Sequence, residues 1–327
     1  MTRKKIIILA VILLVATTAS IVYLKIQKKT TINNSQIQTD NPISSFRNGL
    51  NYNSSTREIT KFNPATQSYD TIAKTKDINP SYVEISPDGK NLILSTNPNS
   101  DGEILSVDPD FANLTVRPVN DERASIVAES IFSPHFLDKK NIIYQDLSAS
   151  GEGDLVVRSI ESGKALKNIA IGEDGPSDIH VLDASHIIAS QYSSDIGDIN
   201  AKFVDLSSGE YSGYLSGKGL IFKTLSGSPY LAYQTLEASG ISSNLINWKT
   251  KQSLKTSTEP IGNLTWSQDG SQIFSAKDTT VLQEGTDGQR STFKQLTGEK
   301  IISLDLLENR WLSVTSIGDN QIFDTNI

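Results

Sequence analysis

A turn of the form Ser-x-Asp-Gly, set between two short apolar runs, appears twice in this chain, and it restricts the fold more than any other feature. Ser86-Pro87-Asp88-Gly89-Lys90 joins Tyr82-Val83-Glu84-Ile85 to Leu92-Ile93-Leu94, and Ser267-Gln268-Asp269-Gly270-Ser271 joins Leu264-Thr265-Trp266 to Gln272-Ile273-Phe274-Ser275. Asp-Gly between apolar runs is the strongest short-range signal for a β-hairpin.

The hairpin belongs to a repeat. Inner apolar runs centre near Ile85, Phe132, His180, Phe222, Thr265 and Ser303, with gaps of 47, 48, 42, 43 and 38 residues. A second run follows each after a short turn, as in Ile142-Ile143-Tyr144, Ile187-Ile188-Ala189 and Tyr230-Leu231-Ala232-Tyr233. A third strand, ending near Asp or Asn before a turn with Gly or Pro, then leads to a fourth; Glu58 to Pro64, Ile104 to Pro109, Leu155 to Lys164 and Lys202 to Gly209 are examples. No stretch after Asn48 keeps the spacing of an amphipathic helix, so the body is all-β. Four strands every ~40–45 residues, repeated round a ring, make the blades of a β-propeller. Six blades are expected, or seven if Ser44 to Tyr52 pairs on its own. Arg57 to Ala73 and Lys300 to Ile327 are each an incomplete unit and are expected to join as one composite blade. A pair of β-sandwiches, the competing architecture, does not account for one hairpin returning at this period.

At its two Ser-x-Asp-Gly turns the chain resembles the WD40-like repeats of the TolB-type propellers, whose signature is S-P-D-G-x-x followed by an apolar residue. The resemblance covers residues from about 50 to 327. It implies a propeller and bacterial export, and carries no function, because this fold hosts scaffolds, ligand binders and enzymes alike. Prolyl oligopeptidase-type propellers share the signature, but no G-x-S-x-G elbow occurs here. The G-H and W-D pairs of WD40 proteins proper are absent.

Four segments follow from these patterns: a basic N-terminus at 1–5, a transmembrane signal-anchor helix at 6–24, a polar tether at 25–47 and the propeller at 48–327. Ile6 to Leu24 is an uncharged run of 19 residues, about 28 Å long as a helix, against a hydrocarbon core of about 30 Å. A cleaved signal peptide is the alternative, but hydrophobicity resumes at Ile21-Val22-Tyr23-Leu24 and stops at lysines. Three basic residues flank each side, and the α-amino group tips the N-terminus inwards. The expectation is a single-pass protein of the cell membrane with an extracytoplasmic body.

The chain carries −7 overall, yet its first 29 residues hold six basic residues and no acid; the rest, with 24 basic against 37 acidic residues, carries −13. Such a body is a poor match for phosphate backbones, which excludes nucleic acid as the expected partner. With no cysteine, disulfides, thiol nucleophiles and cysteine-based zinc sites are ruled out.

Candidate chemistry is sparse. Asn97, Asn99, Asp101 and Asp108 echo the oxygen-ligand spacing of a calcium loop, with Gly102 at its sixth position. Asn replaces the usual first Asp and no helices flank the loop, so an ordinary strand connection is the simpler reading. His180 and His186 flank one hairpin turn, and local packing or hydrogen bonding is expected of them rather than a shared metal. Glu152 with Asp154 and Glu173 with Asp174 sit beside glycines as solvated turn charges. Trp266 and Trp311 fall on inner hairpins, where packing between blades is their expected role. No cofactor is called for. The sequence points to a non-enzymatic binding or scaffold module engaging a protein or cell-envelope polymer. The alternative is a hydrolase or lyase acting on a carbohydrate or lactone through channel carboxylates.

Overall fold

The computed structural model describes residues 43–325 apart from 47–48, 76–79, 81, 97–111, 119–124, 147–152, 172–176, 193–197, 226, 286–287, 299, 309 and 317–318. The anchor span Ile6–Leu24 and residues 25–42 of the tether lie outside the described residues, as do Asn97, Asn99, Asp101 and Asp108. Among the described residues no helix is long and apolar enough to cross a membrane.

Twenty-six antiparallel strands form six sheets among the described residues. The first sheet holds β1 (Ile43–Phe46), β2 (Leu50–Asn53), β3 (Glu58–Asn63) and β4 (Ser68–Lys74). The second has seven strands: β5 (Tyr82–Ile85), β6 (Asn91–Thr96), β7 (Ala112–Pro118), β8 (Ser125–Phe136), β9 (Asn141–Asp146), β10 (Asp154–Ser159) and β11 (Ala165–Ala170). The third holds β12 (Ser177–Asp183), β13 (His186–Tyr192), β14 (Ile199–Asp205) and β15 (Tyr211–Gly217). The fourth holds β16 (Ile221–Thr224), β17 (Tyr230–Glu237), β18 (Gly240–Asn247) and β19 (Ser253–Ser257). In the fifth are β20 (Leu264–Trp266), β21 (Gln272–Lys277), β22 (Thr280–Gly285) and β23 (Arg290–Gln295), and in the sixth β24 (Ile301–Leu307), β25 (Trp311–Ser316) and β26 (Asp319–Asp324).

This is a β-propeller, six-bladed when each continuous sheet counts as a blade. The broad second blade carries two inner hairpins, because the 12-residue β8 pairs with β7 through its first part and with β9 through its last, with breaks in register between. The Ser44–Tyr52 region forms the inner hairpin of the first sheet, with Ser44 opposite Tyr52 and β2 pairing on to β3, and so adds no seventh sheet among the described residues.

The packing explains why the second strand of each unit is apolar without alternation. Successive strand residues point to opposite faces, so a run buried throughout must be covered on both sides. In β6, Leu92 and Leu94 pack with Leu50, Tyr52 and Ile59 of the first sheet, while Ile93 packs with Ile131, Ile142 and Tyr144 on the other side. Ile143 faces onward to Ile179 and Ile187, Ile188 to Phe222 and Leu231, Ala232 to Trp266 and Ile273, and Phe274 to Leu304 and Leu312.

The ring closes through Phe62 of β3, whose ring meets that of Trp311 of β25 edge-on at 5.7 Å, with Leu307 beside them. One expectation is corrected here. Arg57 to Ala73 and Lys300 to Ile327 do not share a composite blade; β3 and β4 complete the first sheet with β1 and β2, and β24–β26 form their own sheet. The Ile43–Asn53 hairpin supplies the inner pair that the composite would have borrowed, so the first and last sheets meet by side-chain packing and not by a shared ladder.

Candidate functional site at the channel mouth

On the propeller axis lies a cavity of about 470 Å³, lined by residues from all six sheets, among them Lys61, Glu84, His135, Val181, Gln268 and Glu308. Only a position at the mouth of the central channel can touch every sheet at once.

Its polar centre is built on neighbouring inner strands. In β5, Val83 turns into the core, which leaves Tyr82 and Glu84 together on the opposite face. The Tyr82 hydroxyl donates to Glu84 Oε2 at 2.6 Å, and His135 Nδ1 lies 3.0 Å from the same oxygen and 3.1 Å from the tyrosine hydroxyl. On the other side of the ring, His135 Nε2 lies 3.3 Å from the Ser133 hydroxyl. Ser133 Oγ in turn accepts the backbone N–H of Ile179 in β12 at 2.8 Å. The string Tyr82–Glu84–His135–Ser133–Ile179 thus ties three inner strands together. Ser133 sits in the left-handed region at φ 49°, at the register break of β8 that turns His135 towards Glu84.

A second set of charges surrounds the mouth. Lys61 Nζ lies 3.3 Å from Glu308 Oε1, linking the first sheet to the sixth. Lys223 of β16 reaches past the fifth sheet to the sixth, donating to the Leu304 carbonyl at 2.5 Å and lying 3.1 Å from Asp305 Oδ1. Each of the two carboxylates lining the mouth, Glu84 and Glu308, therefore has a partner within the protein.

The remaining sequence candidates fall elsewhere. His180 Nε2 contacts Ser190 Oγ at 3.2 Å, and His186 Nδ1 contacts Asp183 Oδ1 at 2.8 Å; both contacts cross the β12–β13 pair, and each ring takes a different partner. Among the described residues no three His, Asp or Glu side chains are grouped to hold a metal. Trp266 is buried and its Nε1 donates to Ser228 Oγ at 3.3 Å, a packing role like that of Trp311. The channel cluster escaped sequence reasoning because its members are 51 residues apart, although a carboxylate inside the inner strand Tyr82–Ile85 was a visible signal.

No family model matches the chain, and no curated protein matches it. Among solved structures it is similar to a chain of Kuenenia stuttgartiensis hydrazine synthase, at 13% identity and TM-score 0.55 over 90% of this chain and 98% of that one. It is likewise similar to a chain of the mitotic checkpoint complex, at 12% identity and TM-score 0.55 over 87% of this chain and 86% of that one. Both likenesses reach the β-propeller fold and stop there.

Proposed function

We propose that this protein is an exported, membrane-tethered propeller of the TolB-like kind that acts as a non-enzymatic binding module, engaging a protein or cell-envelope polymer at the mouth of its channel. The observation that carries the reading is the state of the mouth's carboxylates: Glu84 is held by Tyr82 and His135 and Glu308 by Lys61, so both stabilise the rim. A hydrolase of carbohydrate or lactone would need convergent carboxylates free to exchange protons with a substrate. The anchor at Ile6–Leu24 and the Asn-, Gln- and Thr-rich tether would join the body to the bilayer.

A photo-crosslinking residue at Gln268, on the mouth, is expected to capture one specific partner in intact cells, and exogenous protease is expected to digest the body there. Protection from protease would reverse the topology, and a mouth that captures nothing would defeat the binding reading. The Ser133–His135–Glu84 string favours the hydrolase as a second reading. Turnover of a lactone or oligosaccharide panel that is lost in Glu84→Gln would establish it.

A further inference from the structure

A larger cavity than that at the mouth lies away from the axis. It is a groove of about 910 Å³ between the third and fourth sheets, walled by His186, Phe203, Tyr214 and Trp248 and edged by Lys249 and Lys251. Its rings touch one another: Phe203 stacks on Tyr214 with centroids 6.1 Å apart, and Trp248 lies 5.8 Å from Phe203 and 5.3 Å from His186.

Among the described residues, two polar groups in this groove have no hydrogen-bond or ion-pair partner. Lys251 Nζ stands 3.7 Å from the centroid of Tyr214 and 5.4 Å from that of Phe203, and no carboxylate comes within ion-pair distance of it among the described residues. Burial against the rings pushes its pKa below the ordinary lysine value, as expected of an ammonium that has shed water without gaining an anion. The Tyr214 hydroxyl is buried without a hydrogen-bond partner, and burial pushes its pKa up to about 12. The neighbouring charges do not compensate. Asp183, the acid at the groove edge, is taken by His186 at 2.8 Å and faces Lys249 at 4.0 Å. Lys249 Nζ otherwise stands over Trp248 at 4.9 Å.

From these observations we infer that the groove is a second binding site, distinct from the channel mouth, for an acidic glycan whose uronate carboxylate meets Lys251 and whose sugar ring packs on the aromatic wall. The carboxylate supplies the missing counter-ion, and a ring oxygen or hydroxyl supplies the missing acceptor for Tyr214. The apolar C–H face of a pyranose suits the half-buried rings of Phe203 and Tyr214. An acidic peptide would satisfy Lys251, but it would leave the continuous aromatic wall without a matching ring.

The fold also indicates which variant to use. Four third strands, β3, β10, β14 and β18, and the second strand β2 end in a residue whose turn places the fourth residue on in the left-handed region: Gln67, Gly163, Gly209 and Lys251, and Arg57 after β2. Glycine already fills that place at 163 and 209, so Lys251→Gly removes the ammonium and relaxes the backbone. In calorimetric titrations of the full chain with oligogalacturonate, Lys251→Gly is expected to weaken binding about tenfold or more while the melting temperature holds or rises. Tyr214→Phe is expected to weaken binding and to raise the melting temperature of the free protein, since it deletes a buried hydroxyl that has no partner. Binding should also weaken as salt rises and when the uronates are methyl-esterified. Failure to bind either oligogalacturonate or oligomannuronate overturns the inference, as does equal binding by Lys251→Gly; equal binding of polyglutamate replaces the glycan with an acidic peptide. A silent titration with crosslinking at Gln268 intact would sink this site alone, leaving the channel reading in place.

Discussion

At the scale of the residue, the two Ser-x-Asp-Gly turns are built alike atom by atom. Ser86 Oγ donates to Asp88 Oδ1 at 2.7 Å and accepts the N–H of Asn91 at 2.9 Å; Ser267 Oγ does the same with Asp269 at 2.7 Å and Gln272 at 2.9 Å. Gly89 and Gly270 take up φ 71° and 73°. They differ in what lies beyond the glycine. A Cβ on Gly89 meets nothing within 4 Å, whereas one on Gly270 would stand 2.4 Å from the Tyr230 ring. Gly89→Ala should therefore cost about 1 kcal/mol, the left-handed penalty alone. Gly270→Ala should cost roughly 2–4 kcal/mol once the ring is displaced. Chemical denaturation of the two variants compares them directly, and equal losses would show that the Tyr230 contact does not matter. The turn chemistry was legible in four letters of sequence, but the Tyr230 contact crosses from the fourth sheet to the fifth and has no local signature.

At the scale of the element, strand ends are fixed by side chains that mimic the backbone. Asn63 Oδ1 accepts the N–H of Ala65, Asp205 Oδ1 those of Ser207 and Ser208, and Asn247 Oδ1 those of Lys249 and Thr250. This is why an Asp or Asn closing each third strand could be read from the sequence. The ionised members make the turns sensitive to acid. The Ser86 hydroxyl holds Asp88, the Ser267 hydroxyl holds Asp269, and the backbone of Ser207 holds Asp205 below the ordinary aspartate range. A carboxylate with a lowered folded pKa contributes stability above its unfolded value, about 3.9, and loses it as pH falls through the folded value. The melting temperature should accordingly drop below about pH 4, and Asp88→Asn with Asp269→Asn should flatten part of that fall. An unchanged acid profile in the double variant would remove these turns as its cause. Register was less legible. The long β8, which fuses two units into one sheet, follows from a break between Phe132 and His135 that no periodicity announces.

At the scale of the whole molecule, seven hydrophobic clusters among the described residues follow one another round the ring, and the smallest of them makes the closure: Phe62, Leu307 and Trp311, with Lys61 and Glu308 at its edge. Trp311→Ala should cost about 3–5 kcal/mol. It should also speed amide exchange in β2, β3 and β25 before the fourth sheet responds, because the ring opens first at its seam. Uniform loss of protection over all sheets would mean that the ring unfolds as one unit with no weak seam.

The all-β class, the repeat and the hairpins are legible in the order of residues, because each leaves a local mark: turn chemistry, strand alternation, and the doubly buried second strand that shows as an unbroken apolar run. Tertiary structure alone decided how the ring closes and what the repeats build between them. Tyr82 and Glu84 meet His135 only because successive inner strands face one axis, and Tyr214 meets Lys251 only because the third and fourth sheets pack face against face. A local pattern records how each strand is made; a site shared between blades depends on where the blades are set.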